Sequence, residues 1–279
     1  GARRIVVLHQ GRAKPLDSYA REMLRTLTGK ERFPSYRDPE TNQTVEVFGD
    51  IDPVEALFRL VSGPQKFRDK NFIRVDHPEL KKKYGLESHR VFFSLKDFDA
   101  AREELVRESR RIDEEEATSS ERAVLTLINK QFFVEAIFQE RVLAIVPIPY
   151  GETGGWMTPG DVQVYLSGKH PTDPRFQAIK SALDAFLNGA QGAVLKGDLG
   201  AVVEQYARAK AAVVANDGDA FKKATEALEA SLRNLNPSVL PTVENIDREL
   251  WYNQLKPFSW AREGFLIAVI LFALAYAFQ

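Results

Sequence analysis

The last sixteen residues, Gly264 to Gln279 ("GFLIAVILFALAYAFQ"), carry no charged side chain. A helix that is apolar on every face has to be buried, either inside a protein core or in a bilayer. Counted from Pro257, through "PFSWAREGF", the run reaches the length of about 20 residues that a spanning helix requires. The competing reading is a buried C-terminal core helix. With 28% charged residues and a mean hydropathy of −0.29, the chain as a whole is too polar to cover such a helix. The pattern therefore predicts one transmembrane helix over 257–279, with Trp260 in the interfacial belt and Arg262 snorkelling beside it. Gly264 and Ala268 fall on one face, with Ala275 further along it, and small residues there admit a neighbouring helix.

Composition narrows the rest. The formal net charge is −1, with both signs mixed along 279 residues. That argues against a nucleic-acid-binding protein, which needs a net basic face. The chain has no cysteine. Disulfides, thiolate metal sites, iron–sulfur clusters and haem attached through Cys-x-x-Cys-His are excluded. The first residues, "GARRIVVLHQ", hold no apolar core of signal-peptide length. Either a signal or anchor precedes Gly1, or the bulk of the chain is cytoplasmic.

Periodicity predicts a mainly α fold with a few short strands: an α+β N-terminal half, a helical C-terminal half and the transmembrane helix. "RIVVLHQ" reads as a strand ended by Gly11. Pro15 redirects the chain, Asp17 or Ser18 caps a helix, and Leu16, Ala20, Met23, Leu24 and Leu27 form its core-facing stripe, with Gly29 as the stop. Asp52 caps "PVEALFRLVSG". Short strands are expected at Thr44–Phe48, "NFIRV" and "HRVFFSL", and a short helix at "HPELKKKYGL". A helical pattern runs from Leu95 to about Val142, with a bend or a solvated face at "RESRRIDEEEATSSERA". "GETGGWMTPGDVQVYLSGKHPTDP" is punctuated by Gly and Pro and reads as loop, placing a subdomain boundary near residue 150. Helices follow at about 174–187, 199–215, 219–235 and 242–253, the middle two forming a hairpin turned at "NDGD". The expected division is 1–150, 151–256 and 257–279.

Few residues promise chemistry. Of His9, His77, His89 and His170, no two stand at i,i+4, and each reads as an isolated histidine. Glu114–Glu116 are consecutive, so on a helix they point in different directions and make a poor metal cage. There is no dinucleotide fingerprint, phosphate-binding loop or nucleophile elbow. No enzyme signature, metal site, cofactor or small-molecule substrate is expected from these residues.

Two motifs at opposite ends carry more information. The first is "GRAKPLDSYARE", Gly11 to Glu22; the second is "ELWYNQLKPFSWA", Glu249 to Ala261, just before the apolar run. With Trp156 between them, their order resembles the extracytoplasmic domain of system II cytochrome c assembly proteins, the haem-handling membrane proteins of the CcsA/ResC type. The resemblance implies that Arg12, Lys14, Asp17, Glu249, Tyr252 and Asn253 are motif residues. It implies a non-catalytic, membrane-anchored domain on the extracytoplasmic side, whose partners are other membrane subunits and the lipid bilayer. The parts that handle haem in such proteins, a tryptophan-rich loop and membrane-flanking histidines, are not in this chain, whose three tryptophans are scattered. No haem ligand is carried over and no cofactor is expected. The chain is then a piece of a longer multi-pass protein or a domain serving alone. The alternative is an accessory scaffold subunit of a photosynthetic or respiratory electron-transfer complex. For Arg12 and Lys14 two roles stay open: holding the Gly–Pro turn through carboxylates, with Glu249 an attractive partner, or meeting an anionic headgroup or propionate.

Overall fold

The computed structural model describes residues 1–33, 35–37, 42–47, 49, 51–151, 154–169, 171–188, 192–255 and 257–277. Phe48, His170 and the last expected residues of the span, Phe278 and Gln279, lie outside them. The protein is mainly helical with short two-stranded sheets. Gly1–Leu240 form one compact unit and Pro241–Gln279 a second.

The first unit opens with the antiparallel pair β1 (Val6–His9) and β2 (Arg12–Pro15), followed by α1 (Leu16–Thr28). All five residues of the expected α1 stripe are buried, and Gly29 closes the helix at φ 76°, a left-handed geometry that suits glycine. The pair β3 (Ser35–Arg37) and β4 (Thr44–Glu46) precedes α2 (Pro53–Ser62) and the single turn α3 (Pro64–Phe67). β5 (Ile73–Arg74) then pairs with β6 (Phe92–Phe93) around α4 (Pro78–Lys83). The long helical pattern breaks into α5 (Arg102–Ser109) and α6 (Ser119–Phe138), so the charged run forms a connection, as a bend at "TSS" requires.

Most helix starts are written in side chains. The Asp52 carboxylate accepts from the Val54 N–H at 2.9 Å, with Pro53 at the first helical position. Thr118 and Glu121 form a reciprocal box, the Thr118 N–H donating to Glu121 at 2.8 Å and the Glu121 N–H to Thr118 at 3.3 Å.

The segment read as loop after residue 150 is more ordered than expected. β7 (Val146–Tyr150) turns through Gly151 and Gly154, both at positive φ, into β8 (Gly155–Met157). Thr158 and Asp161 then box the start of α7 (Pro159–Leu166). Asp161 also takes both Nη atoms of Arg175, at 2.9 and 2.8 Å, from α8 (Pro174–Leu187). α9 (Gly192–Val214) and α10 (Gly218–Leu235) form the expected hairpin, with Asp217 capping the second helix.

The two subdomains expected on either side of residue 150 share one core. Phe58 of α2 is fully buried, its ring 5.9 Å from that of Tyr206 on α9 and 5.1 Å from that of Phe221 on α10. The Tyr206 hydroxyl donates to Glu140 at 2.8 Å, and Lys210 reaches the same carboxylate at 2.6 Å. The Leu8 N–H donates to Ala144 O at 2.9 Å, and Asn236 donates to Pro147 O at 3.1 Å.

The second unit consists of α11 (Val243–Leu255) and α12 (Pro257–Ala277). One helical stretch, Val243–Tyr276, is long and apolar enough to cross a membrane, and its apolar window is wholly exposed.

Because Phe58 joins the two halves, Phe58→Ala should destabilise all of residues 1–240 together. The expected loss is about 3–5 kcal/mol. Denaturant unfolding followed by both far-UV and near-UV circular dichroism should show one coincident transition at a lower midpoint, not two separated steps.

Candidate functional site

The motif at the N-terminus builds a hairpin and a helix that are wired to each other. Gln10 and Gly11 take φ values of 51° and 73°, the two positive angles of a type I′ hairpin turn. The chain therefore doubles back: Gly11 is a turn residue, and Arg12 to Pro15 are a strand rather than the redirected segment expected from Pro15. His9 stands opposite Arg12 and Val7 opposite Lys14, so His9, Arg12 and Lys14 share one face of the pair. Arg12 is exposed, whereas Lys14 is buried.

Pro15 occupies the N-cap position of α1, and no side chain caps that helix. Asp17, expected as the cap, is the second helical residue and is buried. It accepts from Arg21 Nε at 2.8 Å and Nη2 at 3.3 Å, and Arg3 Nε lies 3.7 Å away. A carboxylate in the first turn also meets the positive end of the helix dipole. The buried Lys14 ammonium donates to Glu22 at 2.6 Å. Of the two roles open for Lys14, the carboxylate contact seen is with Glu22 inside the motif itself, eight residues on, and not with Glu249. Glu249, Tyr252 and Asn253 stand on α11, and Trp260, Arg262, Gly264 and Ala268 on α12, all in the second unit. Trp260, Arg262, Gly264 and Ala268 are exposed.

A cleft of about 600 Å³ lies where this hairpin–helix meets α6. Tyr19, Glu22, Met23 and Thr26 line it from α1 at i, i+3, i+4 and i+7; Thr126, Asn129, Lys130 and Phe133 line it from α6 at the same spacing. His9 and Gln10 close one end. Tyr19 is 1% exposed, yet its hydroxyl has no hydrogen-bond partner among the described residues. The buried Nδ1 of His9 has none either; Glu22 Oε2 stands 3.9 Å from it, beyond hydrogen-bond range. The His9 and Tyr19 rings meet edge to face at 4.9 Å. Lys130 donates to Arg74 O at 2.8 Å.

Burial sets the protonation of these groups. Desolvation lowers the His9 pKa, Lys14 lowers it further, and Glu22 opposes both. Desolvation, with Glu22 adding, raises the Tyr19 phenol and keeps it neutral. Desolvation also lowers Lys130, while Asp76 opposes and Arg74 assists. Among the described residues no cluster of three acidic or histidine side chains could hold a metal.

Sequence reasoning treated His9 as isolated and passed over Tyr19 and Lys130. One signal was available: Tyr19 brings a hydroxyl beside an apolar stripe, and a buried tyrosine ordinarily finds a partner for that hydroxyl.

Two outcomes follow. Glu22→Gln leaves a buried ammonium without its counter-charge and should lower stability by about 1–3 kcal/mol, whereas Lys14→Met, which removes the charge and keeps the stem, should be nearly neutral by chemical denaturation. His9 has a folded-state pKa below its unfolded value of 6.5. Its contribution to stability is therefore complete above pH 6.5 and is lost as pH falls below it. Denaturation midpoints measured from pH 7.5 to pH 5 should fall more steeply for the native chain than for His9→Gln.

Comparison with known proteins gives no match, neither to a family model nor to a curated sequence.

Proposed function

We propose that this chain is a membrane-tethered extracytoplasmic docking domain, related to the system II cytochrome c assembly proteins and without chemistry of its own. The observation that carries the reading is the Val243–Tyr276 helix, whose apolar window is wholly exposed. The 21 residues of α12, at about 1.5 Å each, reach about 30 Å, the thickness of a bilayer's hydrocarbon layer. Leaving that surface in water opposes the hydrophobic effect, and a bilayer removes the conflict. Trp260 is 70% exposed beside Arg262, at the end where an aromatic belt and a snorkelling cation belong. Trp251 and Tyr252, also exposed on α11, supply aromatic surface for a partner subunit or a headgroup layer. The ordered motifs from Gly11 and from Glu249 support the kinship with assembly proteins. The extracytoplasmic side rests on that resemblance alone.

Alkaline carbonate extraction tests the anchor. The intact chain should stay with the membrane pellet, and the double change Ile270→Arg with Leu274→Arg should release it, since each arginine near the bilayer centre costs about 2.5–3.5 kcal/mol. Release of the native chain would sink the reading. Sidedness is read separately, because the chain has no cysteine. A single thiol placed by Glu114→Cys, in the exposed connection between α5 and α6, should react with a membrane-impermeant maleimide added outside intact cells.

A further inference from the structure

We propose that the cleft between α1 and α6 is a binding site for a small amphipathic monocarboxylate. This goes beyond the docking role and does not depend on it. Residues lining the cleft carry polar atoms that no described residue pairs. The Tyr19 hydroxyl is buried and, among the described residues, unpartnered, and so is His9 Nδ1. The Lys130 ammonium spends one bond on Arg74 O. It has two more hydrogens, and among the described residues no carboxylate lies within ion-pair distance. A buried hydroxyl without a partner is unfavourable, so a groove that keeps one is better explained by a guest than by packing.

Charge and shape select the guest. A carboxylate offers two acceptor oxygens to the ammonium and the phenol, forming charge-assisted bonds. A neutral guest offers Lys130 no counter-charge beyond that of Asp76. A cationic guest meets Lys130 and the nearby Arg25, which already pairs with Glu31. Inorganic phosphate brings no apolar body to set against Met23 and Phe133. Met23 and Phe133 give the cleft an apolar wall, so the carboxylate should carry a compact apolar body. The volume of about 600 Å³ lies within the range of small-molecule sites.

The probe is 4-fluorobenzoate, followed by fluorine NMR with the full chain in mild detergent and empty micelles as the partition control. One equivalent should bind per chain. Binding should weaken about ten-fold or more in Lys130→Met, and about as much when the probe is 4-fluorobenzamide or 4-fluorobenzylamine. Inorganic phosphate should not displace the acid. Tyr19→Phe should weaken binding several-fold without lowering the melting temperature, because it removes a hydroxyl that nothing in the fold uses. That split separates a ligand role from a structural one, and it remains available if Lys130→Met folds poorly. The proposal is overturned by any of four results: no binding to the folded native chain, equal binding of the amide, displacement by phosphate, or unchanged affinity in both folded variants.

Discussion

The packing of Phe58 against Tyr206 and Phe221 is the contact on which the first unit turns. Three helices meet at one buried ring, and two of them come from the far end of the chain. Aromatic pairs at 5–6 Å in tilted or edge-to-face geometry are favourable beyond their buried area. The position also sets direction: α2 can face α9 and α10 only if its other buried face meets α1 and α6. The orientation of the N-terminal hairpin, and with it the cleft beside α6, follows from that constraint. Tyr206 contributes twice, with its ring on Phe58 and its hydroxyl on Glu140.

Elements whose ends are marked by local chemistry were legible in the sequence. Asp52 before Pro53, Gly29 after Thr28 and the "NDGD" turn each act through a backbone group two to four residues away, so no tertiary knowledge is needed. The α1 stripe was legible because its period is regular. Three features were not. β2 was hidden because Gln10 is an uncommon residue at positive φ, and the turn signal rested on Gly11 alone. The helix at Pro159–Leu166 was hidden by the glycines and prolines around it, although Thr158 and Asp161 are spaced as a capping box. The shared core across residue 150 was hidden because packing between distant helices leaves no local trace.

The motif that suggested kinship and the cleft that suggests a ligand are two readings of one piece of chain. Lys14, Asp17, Arg21 and Glu22 satisfy one another, so four of the motif's five charged side chains serve its own geometry. His9 and Tyr19, at or inside the same stretch, are left with polar atoms unmatched. A segment that neutralises its charges internally and still leaves two buried polar atoms unmatched is not explained by its own stability alone. The sequence shows the first half of that pattern. The second needs α6, more than a hundred residues away in the chain, to complete the wall.

The separation between α2 and its partners has a consequence for how the protein is made. A growing chain releases α2 roughly 150 residues before the Tyr206 that covers Phe58, and at about 5–20 residues per second that interval is of the order of 10–30 s. Through it, the α2 face that will meet α9 is displayed without a partner. The α9–α10 hairpin, by contrast, closes on itself as soon as it emerges, because its contacts are local. The last-made part of the first unit is thus the template on which the first-made part finishes folding, and the nascent chain is open to a chaperone on its α2 face for that whole interval.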